Sequence, residues 1–527
     1  MVIRLPHVAF NAFYVCNPCP WVDKKYSGNI SDHMAEKVGF KTCAIMALTT
    51  AQENRMKIDN IDIQATIEKT QAIIRDDKQM SAGTKSMFEI LILVITLLAN
   101  RLNLNSTNSS KPPSTDPNRK KKPKSKTGRK KGGQKGHIGT ALKRVDDPDI
   151  IEPIQIDRRT LPAGQYHEVD YEARQVFDID ISRVVTEYRA QVLEDDSGNL
   201  YVAPFPEGVT KAVQYGTGIK AHAVYLSQFQ LIPYNRVQDY FADQLHIPIS
   251  EGSIFNYNKQ AFEALDAFES IAKKQLISGP VAHADETGIN KGGDRFWLHC
   301  VSNPFWTLYY PHERRGIEAF EAMGVLPQFH GILCHDHWKP YYRLDCTHAL
   351  CNAHHLRELT RAWEQDDQQW ANDMKELLEK INVRVIDAGG ALSAQQAGQY
   401  RSQYRKLIQK GEMECPEPTR PNKKGKRGRI KKSKSRNLLE RLRDFEDDVL
   451  RFMENELVAF SNNLGENDIR MTKVQQKISG CFRSIEGAKI FCRIRSYLST
   501  CRKQGIKASR ALELLFSGSL PEFKKQM

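Results

Sequence analysis

The chain holds 527 residues, 40% of them apolar and 27% charged, with a net charge of +14. Such a length calls for several domains, and such an apolar share excludes a chain that is disordered throughout. The longest apolar run, Ile90 to Ala99, is about half of what a bilayer core requires, which argues against a membrane partner.

Residues 1–55 show no sustained period, and prolines at positions 6, 18 and 20 leave no apolar segment of the secretory kind. They read as an upstream extension of a cytoplasmic protein. The eleven cysteines fit reduced thiols, since Cys16 and Cys19 form a C-x-x-C pair with no second pair to complete a zinc site. Residues 56–105 read as helical. From Met87 to Leu102 the chain is apolar on nearly all sides, and Met87, Leu91, Val94 and Leu98 repeat at 4-3-4 spacing, which fits either a buried helix or a self-associating one.

The charge is concentrated: Lys111 to Lys135 carries +10 and Thr419 to Arg436 another +10, which leaves −6 for the rest of the chain. Both tracts are too polar and self-repelling to fold alone. They read as nucleic-acid-binding arms or as solubilising linkers. The first lies within 106–144 and offers Lys120, Lys121, Lys122, Arg129, Lys130 and Lys131 to phosphates.

Residues 145–215 alternate in short runs, Gln175 to Ile181 and Gln191 to Leu193, with turn residues at 196–199, and predict a small β-rich module. Residues 216–278 are helical, with one helix over Arg236 to Leu245 and a second from Glu251 for which Ser250 is the N-cap. That is the outline of a helix-turn-helix whose second helix brings Ser253, Asn256, Tyr257 and Lys259 to a major groove. A purely structural hairpin has the same outline.

From Pro280 the pattern changes to strands, over Val281 to Asp285, Phe296 to Val301 and Thr307 to Tyr310, then a helix over Ile317 to Met323 and a strand over Gly331 to Asp336. Residues 348–385 are helical again, Leu438 to Phe460 is a long amphipathic segment, and further helices run from Asn462 to Ile478 and on toward the C-terminus. The whole is an α+β multidomain chain. Two strands end in carboxylates among histidines, at Asp285 and at Asp336. A carboxylate at a strand end suits a hard divalent cation; a turn or N-cap aspartate looks the same in sequence. His283, His335 and His337 suggest zinc, but strand alternation turns His335 and His337 away from Asp336.

The strings Asn-Ser-Ser-Lys-Pro-Pro at 108–113, Gly-Gly-Gln-Lys-Gly-His at 132–137, Ala-Asp-Glu-Thr at 284–287, Glu466-Asn-Asp-Ile-Arg470 and Lys477-Ile-Ser-Gly-Cys-Phe-Arg483, continuing to Lys503-Gln-Gly505, resemble the DDE transposases of the insertion-sequence 66 group. The ordered series over roughly 56–520 is more specific than any single string. The resemblance implies a ribonuclease H-like catalytic core in two parts, 279–355 and 461–505, split by a helical insertion at 356–460 and followed by a tail at 506–527. It implies a catalytic, metal-binding triad of Asp285, Asp336 and Glu466 holding two Mg²⁺ ions, with Mn²⁺ able to substitute. Element ends would be cut and their 3′-OH groups joined to target DNA, by a homo-oligomer on DNA aided by helper proteins of the same element. Other readings are an inactive DNA-binding derivative and a ribonuclease H-like nuclease. Cys351-Asn-Ala-His354 is similar to a C-x-x-H string of many such enzymes and reads as structural, since one Cys and one His do not close a zinc site. Relatives' paired cysteines are missing between 138 and 299, which argues against zinc in the β-rich module.

Near the third carboxylate, Leu464, Met471, Val474 and Ile478 predict an apolar stripe with Asp468 on its line, where a cap or buried polar contact is expected. Glu466 lines up instead with Arg470, Lys473 and Lys477, a face suited to phosphate, although a surface Glu–Arg pair has the same spacing.

Overall fold

The computed structural model describes residues 57–58, 61–102, 104–109, 116, 142–168, 170–418 and 431–524. The expected extension at 1–55 lies outside them, as do most of both basic tracts, including Lys120, Lys121, Lys122, Arg129, Lys130 and Lys131. The chain divides into two compact units, Met1–Leu102 and Asn103–Met527.

In the first unit β1 (Lys57–Ile58) pairs antiparallel with β2 (Ile61–Asp62), followed by α1 (Ile63–Asp76) and α2 (Ala82–Leu102). Ser81 starts α2 by accepting the Thr84 N–H at 3.1 Å. Ile67, Ile74 and Ile92 meet in a small core. The rest of α2 is unusually exposed for its composition: Met87 is 74% exposed, and Ile90, Leu91, Leu93, Val94, Leu97 and Leu98 are exposed with it. By length and composition alone, its 21 residues suffice to cross a membrane; the apolar run read from sequence is shorter because Glu89 and Asn100 bound it within the same helix.

The second unit begins with a segment that departs from expectation. Between 142 and 215, among the described residues, the only strands are β3 (Val192–Glu194) and β4 (Leu200–Val202), an antiparallel hairpin. Its turn is set by Asp195, whose Oδ1 accepts the Ser197 and Asn199 N–H groups at 2.9 Å, and by Gly198 at φ 81°. No strand forms over Gln175 to Ile181. The β-rich module is therefore reduced to one hairpin: alternation needs a second layer to bury its apolar face, and Ile154 (96% exposed), Val176 and Val184 have none.

The helical region follows as α3 (Thr217–Val224), a π-helical turn at Tyr225–Phe229, α4 (Tyr234–Leu245), α5 (Glu251–Ala264) and α6 (Asp266–Ile277). His246 leaves α4 in the left-handed conformation, and Ser250 caps α5 through the Ser253 N–H at 3.1 Å. The expected pair of helices is present, but Tyr257 is buried with Ile254, Asn258 and Ala261 on the core side of α5. It is withdrawn from the groove-facing set, which leaves Ser253, Asn256 and Lys259.

A five-stranded sheet forms the centre. β5 (Val281–Lys291), β6 (Asp294–Ser302) and β7 (Thr307–His312) are an antiparallel meander; after α7 (Ile317–Met323), β8 (Ile332–His335) and β9 (Thr347–Leu350) run parallel to β5, in the order β7-β6-β5-β8-β9. Gly331 lets β8 enter beside β5, since a Cβ there would lie 2.6 Å from the Pro280 carbonyl oxygen.

The insertion comprises α8 (Asn352–Asp366), α9 (Gln369–Asp387), α10 (Ala394–Glu414), α11 (Lys434–Asp444) and α12 (Glu446–Leu450), around Trp370, Leu378, Tyr404, Leu438 and Leu442. The amphipathic segment Leu438 to Phe460 is not one helix; it breaks at Phe445, which packs against His337 and Tyr342. The end of the second basic tract is folded rather than solvated: Ser433 caps α11, and Arg436, 2% exposed on its side chain, pairs with Glu412, Glu417 and Glu440.

Two helices return to the sheet, α13 (Asn463–Ser479) and α14 (Ile485–Lys503), and α15 (Ala508–Phe516) closes the chain. α14 lies along β7, where Ser496 and Thr500 hydroxyls accept the Tyr309 and Thr307 N–H groups at 2.8 and 3.1 Å. The most buried line of α13 is Gly465, Ile469 and Thr472; of the expected stripe, Met471 and Val474 are partly buried and pack against the core beside it. Small and β-branched side chains on this line let the helix lie close to the sheet, and Ile478 is left exposed.

Candidate active site

β5 and β8 are parallel neighbours with Val281, Ala282 and His283 opposite Ile332, Leu333 and Cys334. Continuing that register by two residues brings Asp285 opposite Asp336, just past the end of β8. Adjacent strands lie about 4.8 Å apart, so the two carboxylates start from neighbouring backbone positions. Asp336 also ends its strand as a turn residue, accepting the Trp338 N–H at 3.0 Å.

Glu466 arrives from the first turn of α13, and Asn462 fixes that turn. The buried Asn462 side chain donates to the Ala284 carbonyl at 2.8 Å and meets His283 Nδ1 at 2.8 Å, while its backbone N–H points to Cys351 Sγ at 3.1 Å. The start of the helix is thereby pinned to the residues just before Asp285. Burial first, then the Glu286, Glu466 and Asp336 carboxylates, push the Asp285 carboxyl up to about 8, against the hydrogen bond it accepts from the Glu286 N–H. The Asp336 carboxyl is raised by burial, with the Trp338 N–H, Arg315 and Arg441 working the other way. Crowded, desolvated carboxylates of this kind fit a hard divalent cation, which would offset the mutual repulsion with oxygen ligands of the right type.

Several features of this neighbourhood lacked a clear sequence signal. Glu286 follows Asp285 on the opposite face of β5; its side chain is only 2% exposed, paired with Arg315 and accepting the Tyr341 hydroxyl at 2.5 Å. Burial raises its carboxyl, and the bonds from Tyr341 and Arg315 oppose that. Arg315 lies between the Trp338 and Trp297 rings, 3.9 and 4.8 Å from their centroids. Strand alternation alone could have put Glu286 beneath the sheet; nothing in the sequence pointed to Arg315.

The histidines flanking the aspartates belong to the packing. His335 is buried against Tyr341, Tyr342 and His348, and His283 against Asn462. Asp468 does what its position on the helix suggested: it forms a partly buried pair with Lys503 at 2.6 Å and accepts the Thr307 hydroxyl at 3.3 Å. Glu466 points elsewhere, and its neighbours are His354 at 3.7 Å and Arg357 at 3.9 Å on α8 rather than Arg470. Of the cations expected to face DNA, Arg470 and Lys477 are exposed, Lys473 donates to the Gly288 carbonyl at 2.6 Å, and Lys259 pairs with Glu486 at 3.2 Å. Lys473 thus ties α13 to β5, and the phosphate-facing set on that helix shrinks to Arg470 and Lys477.

Comparison with known proteins gives two family matches. The family model described as "Transposase IS66 family" matches residues 212–490, which span α3 to α13 and every residue just described from β5 to Lys477. A second, for a family of unknown function (DUF6444), matches residues 46–143 and includes α1 and α2. No curated protein matches the chain.

Proposed function

The chain belongs to the transposase IS66 family, whose model covers more than half of its 527 residues, and from that premise we propose that it cuts phosphodiester bonds at the ends of an insertion sequence and joins the freed 3′-OH ends to target DNA. The observation that carries this reading is the convergence of Asp285, Asp336 and Glu466 from two adjacent parallel strands and one pinned helix turn. A ribonuclease H-like core is supported by the sheet itself, a three-stranded meander followed by two strands parallel to its first.

In this reading Asp285, Asp336 and Glu466 would hold two Mg²⁺ ions, which supply an activated water, charge neutralisation at the phosphate and stabilisation of the leaving 3′ oxygen. The protein's own contribution is positioning. Asn462 sets the height of Glu466 against Asp285, and the Asp336 turn holds its carboxylate through the Trp338 N–H. Arg315 and Arg441 place positive charge near Asp336, where a phosphodiester approaching the carboxylates would otherwise be repelled. The exposed Arg470 and Lys477 and the two basic tracts bind the backbone without reading sequence, and α5 presents Ser253 and Asn256 to a groove.

The deciding experiment incubates the full chain with Mg²⁺ and a supercoiled plasmid carrying the element's ends. End-specific breaks and joined products are expected. Unspecific nicks would point to a general nuclease, and binding without products to a DNA-binding derivative; either would overturn the proposal.

A further inference from the structure

Beside the carboxylate pair lies a second, chemically different cluster. Cys351 is the N-cap of α8 and His354 lies in its first turn, so both side chains face the start of α13. Cys351 Sγ is 3.8 Å from Glu466 Oε1, His354 Nδ1 is 3.7 Å from the same oxygen, and all three atoms lie within 4.8 Å of one another. His354 Nδ1 is buried and has no hydrogen-bond partner, an unusual cost for a ring nitrogen unless something else satisfies it.

The spacing is that of a coordination polyhedron. Zinc bonds of about 2.3 Å to sulfur, 2.0–2.1 Å to imidazole and 2.0–2.2 Å to carboxylate, at tetrahedral angles, put sulfur and oxygen about 3.6 Å apart and nitrogen and oxygen about 3.4 Å apart. The observed separations are only a few tenths of an ångström larger. A thiolate and an imidazole select a borderline-soft ion over Mg²⁺, and three protein ligands leave a fourth position open toward the side where Glu466 and His354 are partly exposed. Burial pushes the Cys351 thiol up to about 11 against the hydrogen bond from the Asn462 N–H, so it is the bound cation that has to draw off the proton. One group opposes the ion: Arg357 Nη2, 3.9 Å from Glu466 Oε1, shares that oxygen and has to swing away.

We propose that Cys351, His354 and Glu466 form a site for a zinc-like divalent ion, and that filling it takes Glu466 away from Asp285 and Asp336. As the ion binds, the Cys351 thiol gives up its proton to solvent and neutral His354 coordinates through Nδ1 with its proton on Nε2. The binding claim stands on the cluster alone; the competition for Glu466 rests on the catalytic reading above.

The test uses metal-stripped full-length protein and Co²⁺ as a visible stand-in for Zn²⁺. Titration is expected to produce thiolate-to-cobalt charge-transfer absorption at one equivalent, displaced by Zn²⁺, absent in Cys351→Ser and weakened at least tenfold in affinity in His354→Asn. The absorption is expected to persist in Asp285→Asn, so a failure of the catalytic reading leaves this readout intact. No band, or a band unchanged in both Cys351→Ser and His354→Asn, overturns the site. In the cleavage assay, the Zn²⁺ concentration that halves Mg²⁺-dependent cutting is expected to rise at least tenfold in His354→Asn relative to the parent chain. Equal inhibition of both proteins overturns the competition.

Discussion

Two acidic side chains two residues apart on α13 differ in their contacts, and in the proposed function substitution separates their roles. Asp468 is held by Lys503 and the Thr307 hydroxyl, so Asp468→Asn removes a partly buried charge pair and is expected to cost about 2 kcal/mol of stability. The loss is limited because Lys503 keeps the Asn303 and Trp306 carbonyls at 2.8 and 3.3 Å. Glu466→Gln breaks no comparable bond. Its thermal midpoint is expected to match the parent, while end cleavage and strand transfer disappear; an inactive, fully folded Asp468→Asn with an active Glu466→Gln would move the third carboxylate to 468. Asp285→Asn is expected to keep or raise the melting temperature, because it removes the carboxylate most crowded by Glu286, Glu466 and Asp336, and to abolish cutting with DNA binding retained. Asn462→Ala is the converse case. It strips a buried partner from the Ala284 carbonyl and from His283, at roughly 1–3 kcal/mol per orphaned group, and lowers cleavage even at temperatures where the protein is fully folded by circular dichroism.

At the scale of elements, the buried histidines and the Glu440 ion pairs are expected to respond to acid in different pH windows. Burial depresses the His299 imidazole to about 4 and lowers those of His335 at the end of β8 and His355 on α8 as well, so the unfolded chain takes up protons below about 6.5 that the folded protein refuses, and stability falls as pH drops from there toward 4. Burial would raise the Glu440 carboxyl of α11, but hydrogen bonds from Lys432 and Arg436 outweigh it and hold it at about 2. Its contribution is complete above the ordinary carboxylate range near 4.5 and is lost as pH falls toward 2. Thermal melts over a pH series should show both declines, with Glu440→Gln flattening only the lower one; a single decline below 4 would remove the buried histidines from the account. The same elements show what the sequence made legible. Alternation located β5, β6 and β7, and Ser250 and Ile317 to Met323 gave a cap and a helix within a residue of where they lie. β9 was absorbed into a helix because Thr347–Leu350 is four residues long and its burial depends on β8. The apolar line of α13 is legible in part: Met471 and Val474 pack against the core as expected, but close packing against the sheet puts Gly465 and Thr472 on the most buried line in place of larger residues. The three candidate carboxylates carry motifs that can be read in the sequence, whereas Arg315 and the Cys351–His354–Glu466 cluster exist only through contacts between distant elements.

At the scale of the whole molecule, charge and apolar surface are kept apart in sequence, and each implies a form of assembly. An α2 that exposes Met87, Leu91, Val94 and Leu98 together is expected to bury them against a second copy, and deletion of residues 57–102 should lower the number of copies per particle, as read from the light-scattering mass divided by the chain mass, while leaving the melting of the second unit unchanged. An unchanged number of copies would mean that α2 is not the assembly surface. DNA binding is expected to draw on the tracts instead, since the rest of the chain carries a net −6. The two tracts hold twenty net positive charges, but Lys432 and Arg436 are committed to Glu412, Glu417 and Glu440, so eighteen remain for phosphate. If half of those engage, each adding about −0.9, the log–log slope of affinity against salt is roughly −8 on duplex DNA. Anisotropy titrations at several salt concentrations test this directly. Neutral linkers in place of 111–135 and 420–431 should remove most of the slope while Lys432→Gln leaves it nearly unchanged, and a slope that survives the linkers would assign the phosphate contacts to the folded surface around Arg470 and Lys477.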